Sequence, residues 1–281
     1  MTLLVFGRTG QVARALQRQA EVTALGREAA DLRDPEACAA AIHAAAPRAV
    51  INAAAYTAVD RAEEEEALAT RINAEAPGAM ARTCAERGIP FLHISTDYVF
   101  DGSGETPWRE DDPVAPLNAY GRSKLAGERA VQAAGGVHVI LRTAWVFSAD
   151  GANFVTTMLR LSETRDRLDI VADQLGGPTP AAEIAATLLR MTEALLAGQG
   201  GGTYHYAGAP VVSWADFARA IFARAGREVT VADIPGSAWP TPARRPQNSR
   251  LDCAKLRADF GITPADWTAG LAAVLKRLED T

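Results

Sequence analysis

Three residues of types suited to proton chemistry stand out: Thr96, Tyr120 and Lys124. Tyr120 and Lys124 are four apart in Tyr120-Gly121-Arg122-Ser123-Lys124, and Leu125-Ala126-Gly127-Glu128 continues the segment. On a helix this spacing places both side chains on one face, about one turn apart. A phenol ordinarily ionises near pH ~10, and a nearby ammonium favours the phenolate and brings that value toward neutrality. Such a tyrosine can hand a proton to a carbonyl oxygen while a hydroxyl from Thr96 or Ser95 holds the same oxygen. A Tyr-x-x-x-Lys spacing also arises by chance as a solvated pair, so its meaning depends on the elements that position it.

Those elements begin with Ile89-Pro90-Phe91-Leu92-His93-Ile94, which reads as a short buried strand delivering Ser95 and Thr96 to its C-terminal end. That edge of an open α/β sheet is where ligands sit. His93, inside the apolar run, reads as a core residue or a support behind the site. At the start of the chain, Leu3-Leu4-Val5-Phe6 is a strand followed by Gly7-Arg8-Thr9-Gly10-Gln11-Val12-Ala13 and a helical stretch. A strand, a Gly-x-x-Gly-x-x-Ala turn and a helix form a phosphate-cradling element. Gly7 serves the tight turn, Gly10 the approach of a pyrophosphate, and Ala13 the packing of helix on sheet.

The second strand, Glu21 to Leu25, ends at Gly26-Arg27-Glu28, where selectivity for the ribose is set. An acid there bonds a 2′-hydroxyl and an arginine accommodates a 2′-phosphate. Arg27 and Glu28 are neighbours, so NADPH is favoured with NADH as the alternative. Asp34-Pro35 reads as an N-cap and first helical position. Ala49 to Asn52 is a third strand running into Ala53-Ala54-Ala55 and Tyr56-Thr57, small residues that let a ligand approach backbone. Glu63 to Glu66 reads as a solvated helix start, ahead of one helix from Ala67 to Arg87. Asn73 on that helix would need partners if buried.

Strand and helix units alternate through Val137 to Arg142, and Thr143-Ala144-Trp145-Val146-Phe147 follows. This alternation predicts an α/β fold with a doubly wound parallel sheet. A helix over 152–162, a short strand over 169–172, a turn-rich link over 173–180 and an amphipathic helix over 181–196 come next. The last eighty or so residues change character: a strand over 203–206, a helix capped by Ser213, a proline-interrupted loop and a final helix from Asp266-Trp267. The loop carries Arg244, Arg245 and Arg250, which suit a diphosphate or other anion; pairing with surface acids is the plainer alternative.

The totals set outer bounds. The chain has 281 residues, 48% hydrophobic and 22% charged, as expected of a soluble globular protein with a large domain and a smaller one. Its formal net charge of -5 gives no basic field for nucleic acid or anionic lipid. Cys38, Cys84 and Cys253, odd in number and far apart, argue against a disulfide framework and fit a reducing compartment. His43, His93, His138 and His205 show no metal-ligand spacing. No apolar run approaches membrane-spanning length, and the expected location is the cytoplasm.

Taken together, these segments resemble the extended short-chain dehydrogenase/reductases, and within them the dTDP-4-dehydrorhamnose reductase family. The likeness runs through Phe6 to Val12, Asn52 to Asp60, Ser95 to Phe100, Pro116 to Gly121 and Lys124 to Glu128. It is most specific in Pro240-Thr241-Pro242-Ala243-Arg244-Arg245-Pro246-Gln247-Asn248-Ser249-Arg250-Leu251, which belongs to the sugar-nucleotide part. The expected architecture is a Rossmann sheet with a smaller C-terminal α/β substrate-binding domain. Residues 1–147, with 173–208 returning, would form the first; 148–172 and 209–281 would form the second.

The resemblance implies that Tyr120 is the acid, Lys124 its electrostatic partner and ribose anchor, and Thr96 the hydroxyl beside the reacting oxygen. It implies cofactor contacts at Gly10, Gln11, Val12, Asp31, Leu32, Ala55 and Thr57, joining Gly7 and Arg27. It implies substrate contacts at Thr96, Asp97, Trp145, Asn153, Arg245, Asn248 and Ser249. The reaction would be hydride transfer from NADPH, or NADH, to C4 of dTDP-6-deoxy-L-lyxo-4-hexulose, giving dTDP-L-rhamnose. Some relatives join subunits through magnesium held by glutamates; Ala15 and Ala182 stand near two of those positions, so no metal is expected, and the chain would be a monomer or homodimer. Two rivals share the fold: a sugar-nucleotide epimerase or dehydratase, and a catalytically idle regulatory subunit such as the partner of a methionine adenosyltransferase.

Overall fold

The computed structural model describes residues 2–280. Leu3–Phe6 (β1) is buried along its whole length, so alternate side chains enter two different cores. Leu3 and Val5 pack on one face of the sheet, and Leu4 and Phe6 on the other. The Gly7 turn and Gln11–Gln19 (α1) follow, then Thr23–Leu25 (β2), shorter than the run from Glu21 expected from sequence. Asp34 caps Pro35–Ala45 (α2) as expected, its carboxylate accepting from the Glu36 and Ala37 amides. Ala49–Asn52 (β3) is again buried throughout.

The single helix expected over Ala67 to Arg87 is in fact three segments. Glu66–Thr70 (α3) leads into a π-helical turn, Arg71–Glu75, and then Ala76–Glu86 (α4), with Pro77 in its first turn. A π turn is rare and tends to occur where one side chain must be re-aimed; here that side chain is Asn73. The π segment is only five residues long, Arg71–Glu75, too short to leave a period of its own in an alanine-rich stretch, so sequence pattern could not reveal the break. Phe91–Thr96 (β4) and Ala119–Ala133 (α5) follow, α5 packing closely on the π turn. Gly127 makes that contact feasible, because a Cβ there would run into the Asn73 carbonyl.

His138–Thr143 (β5) leads to Phe154–Ser162 (α6), Arg167–Val171 (β6) and Ala181–Leu196 (α7). Gly202–His205 (β7), Trp214–Arg224 (α8), Thr230–Ile234 (β8), Ala254–Phe260 (α9) and Trp267–Glu279 (α10) complete the main elements. The large sheet has the order β7-β5-β4-β3-β1-β2, parallel at every pairing. This is the doubly wound α/β arrangement. Its order reverses between β1 and β3, so the turns after Phe6 and Asn52 flank the switch point where ligands bind.

Helices cover both faces. Leu16 of α1 and Ile184, Leu188 and Met191 of α7 fill one core; Ile42 of α2 and Met80 of α4 fill the other. Each such side chain contributes roughly 1.5–3 kcal/mol through burial. A third core, built from Phe147, Val155, Phe217, Ile221, Trp267 and Leu271, lies under the parallel β6–β8 pair. Leu256, Ile262 and Ala265 pack with the first core although they lie far along the chain, so the C-terminal stretch contributes to both parts. Among the described residues, no helix is long and apolar enough to cross a membrane, and no group of three or more His, Cys, Asp or Glu side chains could hold a metal ion.

Candidate active site

Thr96 is the last residue of β4, in register with Thr143 of β5 at the C-terminal edge of the sheet. Its hydroxyl accepts from the Tyr98 amide at 3.2 Å, capping the short turn Asp97–Val99, and donates to Asp97 Oδ1 at 3.0 Å. It is also close enough to the Tyr120 hydroxyl to favour that group's ionisation. Tyr120 stands in the first turn of α5, half-buried, with its ring edge-on to Tyr98 at 5.7 Å between centroids. Lys124, one turn further along the same helix, is buried. The structure therefore brings Thr96, Tyr120 and Lys124 to one sheet edge.

The electrostatics differ from the simple dyad. Burial pushes the Tyr120 phenol up to about 12, with the nearby Asp97 acting in the same direction and the Thr96 hydroxyl opposing both. Burial pulls the Lys124 ammonium down to about 8, opposed by Glu128. Lys124 Nζ donates to the Ile94 carbonyl at 2.7 Å and lies 3.1 Å from His93 Nε2. Loss of hydration thus acts on the phenol in the direction opposite to the depression expected from Lys124. Asp97, buried, is pushed up to about 6 by burial, partly offset by the neighbouring Ser249 and Thr96. Its Oδ1 accepts from Thr96, and Oδ2 has no hydrogen-bond partner among the described residues.

The helix carrying the tyrosine is anchored by residues that spacing alone did not single out. Asn118 caps α5: its side-chain oxygen accepts from the Gly121 amide at 2.7 Å, while its amide donates to the Arg244 carbonyl at 2.8 Å. Glu63 accepts from the Ala119 amide at 2.8 Å, Glu65 takes the Tyr56 hydroxyl, and Glu66 forms two bonds with Arg122. The acidic run leads into a helix as expected, with Glu63 and Glu64 exposed and Glu66 opening α3, and three of its four carboxylates serve in addition as anchors. Asn73 Oδ1 accepts from the Tyr56 amide at 2.8 Å. Its Nδ2 donates to the Tyr56 carbonyl at 3.0 Å and to Ser123 Oγ at 2.9 Å, tying the loop after β3 to α5. The legible signal for Asn118 was an asparagine directly before the helical stretch from Ala119, the residue type favoured at an N-cap.

The residues suited to a dinucleotide lie along the same edge. Gly7 has φ +101°, a conformation side-chain-bearing residues rarely adopt, and a Cβ there would lie a tight 3.2 Å from the Ala53–Ala54 backbone. Gly10 caps α1 without any side-chain hydrogen bond, and no acid stands in that helix's first turn. Its amides are thus oriented to receive a phosphate, and the residues present fit a pyrophosphate there. Gln11 Oε1 accepts from Ser148 Oγ at 2.9 Å, and Val12 is buried. Arg27 is exposed; Glu28 pairs with Arg8 at 2.6 Å. Asp31 is held below the usual carboxylate range by its hydrogen bonds from Arg33, Leu32 is buried, and Ala55 and Thr57 are exposed. Ser95 Oγ and Thr143 Oγ1 are buried at the strand ends without a hydrogen-bond partner among the described residues.

Beside Tyr98 opens a cleft of about 1210 Å³, lined among others by Phe154, Trp214, Trp239, Arg244, Arg245 and Gln247. Trp145, with φ +51°, stacks on Trp214 at 3.6 Å between centroids. Arg245 faces the cleft while its guanidinium forks onto Asp60 at 2.8 and 2.7 Å. Ser249 lies against Asp97. Two expected substrate residues are engaged elsewhere. Asn153 caps α6 in a capping box, and Asn248 is buried with its amide on the Ser103 and Thr106 carbonyls. Arg250 likewise bonds the Glu105 carbonyl. Ala15 is buried in the core and Ala182 is exposed at the start of α7.

The chain matches the family model described as the RmlD substrate binding domain over residues 1–280. It is 45% identical over 278 residues to the dTDP-4-dehydrorhamnose reductase of Sinorhizobium fredii, covering 95% of this chain and 94% of that one. With the enzyme of the same name from Escherichia coli K12 it shares 40% over 298 residues, covering 100% and 99%. Among solved structures, the dTDP-4-dehydrorhamnose reductase of Clostridium acetobutylicum superposes with a TM-score of 0.93 at 36% identity, covering 99% and 100%. That of Bacillus anthracis in complex with NADP gives 0.92 at 32%, covering 98% and 99%. The chain belongs to the dTDP-4-dehydrorhamnose reductase family.

Proposed function

We propose that this protein is an NADPH-dependent reductase, with NADH as an alternative donor. It would reduce the C4 ketone of dTDP-6-deoxy-L-lyxo-4-hexulose to dTDP-L-rhamnose. The observation that carries the reading is the placing of Thr96, at the end of β4, and Tyr120, in the first turn of α5, at one sheet edge, with buried Lys124 one helical turn behind. NADPH, when bound, supplies the hydride that adds to C4.

The protein's own part is positioning and proton supply. Reduction of a ketone needs a proton on its oxygen, and Tyr120 gives it from its phenol. Burial keeps that phenol protonated at neutral pH, which is the form a donor requires. Thr96 holds the same oxygen once its hydroxyl proton, given to Asp97 in this structure, is turned toward the substrate. Lys124 anchors the ribose and stabilises the phenolate left behind. Asp97, Trp145, Arg245 and Ser249 bind the sugar nucleotide, and the arginines of the cleft favour its diphosphate. Asn153 and Asn248 act on substrate through the backbone they fix. Gly7, Gly10, Gln11, Val12, Arg27, Asp31, Leu32, Ala55 and Thr57 line the dinucleotide.

The division of labour follows the chain. Residues 1–147 with 173–208 hold the cofactor, and 148–172 with 209–281 hold the sugar nucleotide. The protein works in the cytoplasm as a monomer or homodimer, without metal, membrane or nucleic acid. The test is absorbance at 340 nm with an enzymatically prepared dTDP-4-keto-6-deoxy sugar, with and without the preceding 3,5-epimerase. Stoichiometric loss of NADPH is expected. Turnover of a sugar nucleotide with no net loss would identify an epimerase or dehydratase. No turnover with stable binding to another enzyme would identify a regulatory subunit.

A further inference from the structure

Behind Lys124 lies a buried polar chain that the catalytic residues do not account for. Asn52, His93 and Lys124, from β3, β4 and α5, are all buried. Asn52 Oδ1 accepts from the Ala54 amide at 3.1 Å, so its Nδ2, a donor only, is the atom 3.1 Å from His93 Nδ1. Nδ1 must then accept. A neutral imidazole with an accepting Nδ1 carries its proton on Nε2, and Nε2 faces Lys124 Nζ at 3.1 Å. An ammonium can only donate, so the charged form of Lys124 opposes an N–H, whereas the amine accepts from it.

We propose that Asn52 fixes the imidazole proton on Nε2 and that His93 is thereby a positioning residue, favouring the uncharged amine of Lys124. The inference rests on the reductase reading, in which Lys124 serves as the cation behind Tyr120. Burial of Lys124 acts in the same direction, and Glu128 of its own helix opposes. The Ile94 carbonyl takes one Lys124 N–H in either form. Burial, and the positive charge of Lys124 where that group is protonated, hold the His93 imidazole well below its ordinary titration range. The consequence is an alkaline limit to turnover set by the Asn52–His93 pair.

The direct test is nitrogen-15 NMR of the full chain labelled in histidine, the His93 signal being assigned by its loss in His93→Gln. A neutral Nε2–H tautomer, constant over about two pH units either side of neutrality, is expected. An Nδ1–H tautomer, or titration of His93 in that range, overturns the proposal whatever the substrate proves to be. The kinetic test is the pH profile of kcat/KM. In His93→Gln the side-chain oxygen accepts from the ammonium, and the alkaline limb should move up by about one unit. Asn52→Asp reverses the tautomer and should move it the same way, which covers the case of a poorly folded His93 variant. An unmoved limb in a folded variant also overturns the proposal. Absence of any reductase turnover in the unaltered protein would instead count against the reductase reading and leave the NMR result standing.

Discussion

Glu128 and Arg142 form a two-pronged ion pair at 2.9 and 2.7 Å with side chains only 1% and 5% exposed, one helical turn beyond Lys124. The arginine also lies over the Phe100 ring, and its second amine faces His205, so α5, β5 and β7 meet at this point. Arg142→Ala leaves a buried carboxylate without its partner and should lower stability by roughly 3–5 kcal/mol. Replacing both, as Glu128→Gln with Arg142→Ala, should cost clearly less than the sum of the single changes Glu128→Gln and Arg142→Ala. Urea unfolding of the four proteins checks this, and additive losses would contradict a coupled pair.

Tyr120→Phe removes one oxygen from a site whose walls are otherwise unchanged. Turnover should fall by about 10²- to 10⁴-fold, in keeping with the loss of a positioned general acid, while the dissociation constant for NADPH changes little. Stopped-flow turnover and fluorescence titration separate the two effects. Full activity in the variant would remove Tyr120 from the chemistry.

Asp97 yields a prediction with a definite sign. Its folded value, about 6, lies above its unfolded one, so the folded state binds the extra proton between about pH 4 and pH 6. Stability from this group is greatest below that window and is lost as pH rises through about 6. Asp97→Asn removes the burdened charge and should stabilise the protein at pH 8 by roughly 3 kcal/mol, but hardly at pH 4. Thermal unfolding at both pH values decides it. A gain independent of pH would show that the carboxylate is not the cause. Activity should fall as well, on the proposal that Asp97 binds the sugar nucleotide.

Asn73 satisfies two backbone groups of Tyr56 and one hydroxyl from inside the π turn. Asn73→Ala should cost about 1–3 kcal/mol for each buried group left unpaired. It should also weaken NADPH binding more than it slows turnover, because Thr57 lies next to the loosened residue. Calorimetry of NADPH binding beside denaturant unfolding checks both, and an unchanged affinity would separate the loop from the cofactor.

The doubly wound sheet was legible because its information is local. Buried parallel strands are short apolar runs, and turns such as Gly7 to Gly10 mark where each ends. Asp34, Ser213 and Asp266 announced their helices because capping needs only a side chain and the next few amides. The π turn at Arg71–Glu75 was not legible. Its cause is the approach of α5 through Gly127, a contact between residues more than fifty positions apart.

The candidate site divides in the same way. The residue types and the four-residue spacing of Tyr120 and Lys124 were present in the sequence, as was the strand that ends at Thr96. The charge states were not. Sequence suggested a phenol lowered by an ammonium, whereas burial raises the phenol and lowers the amine. Desolvation depends on everything packed around a group, and that includes His93 from β4 and, through it, Asn52 from β3. By itself the sequence determined which groups are available and which elements carry them. Only the tertiary structure decided which of them lose water, which share a proton, and which, like Asn153, are engaged in holding the chain.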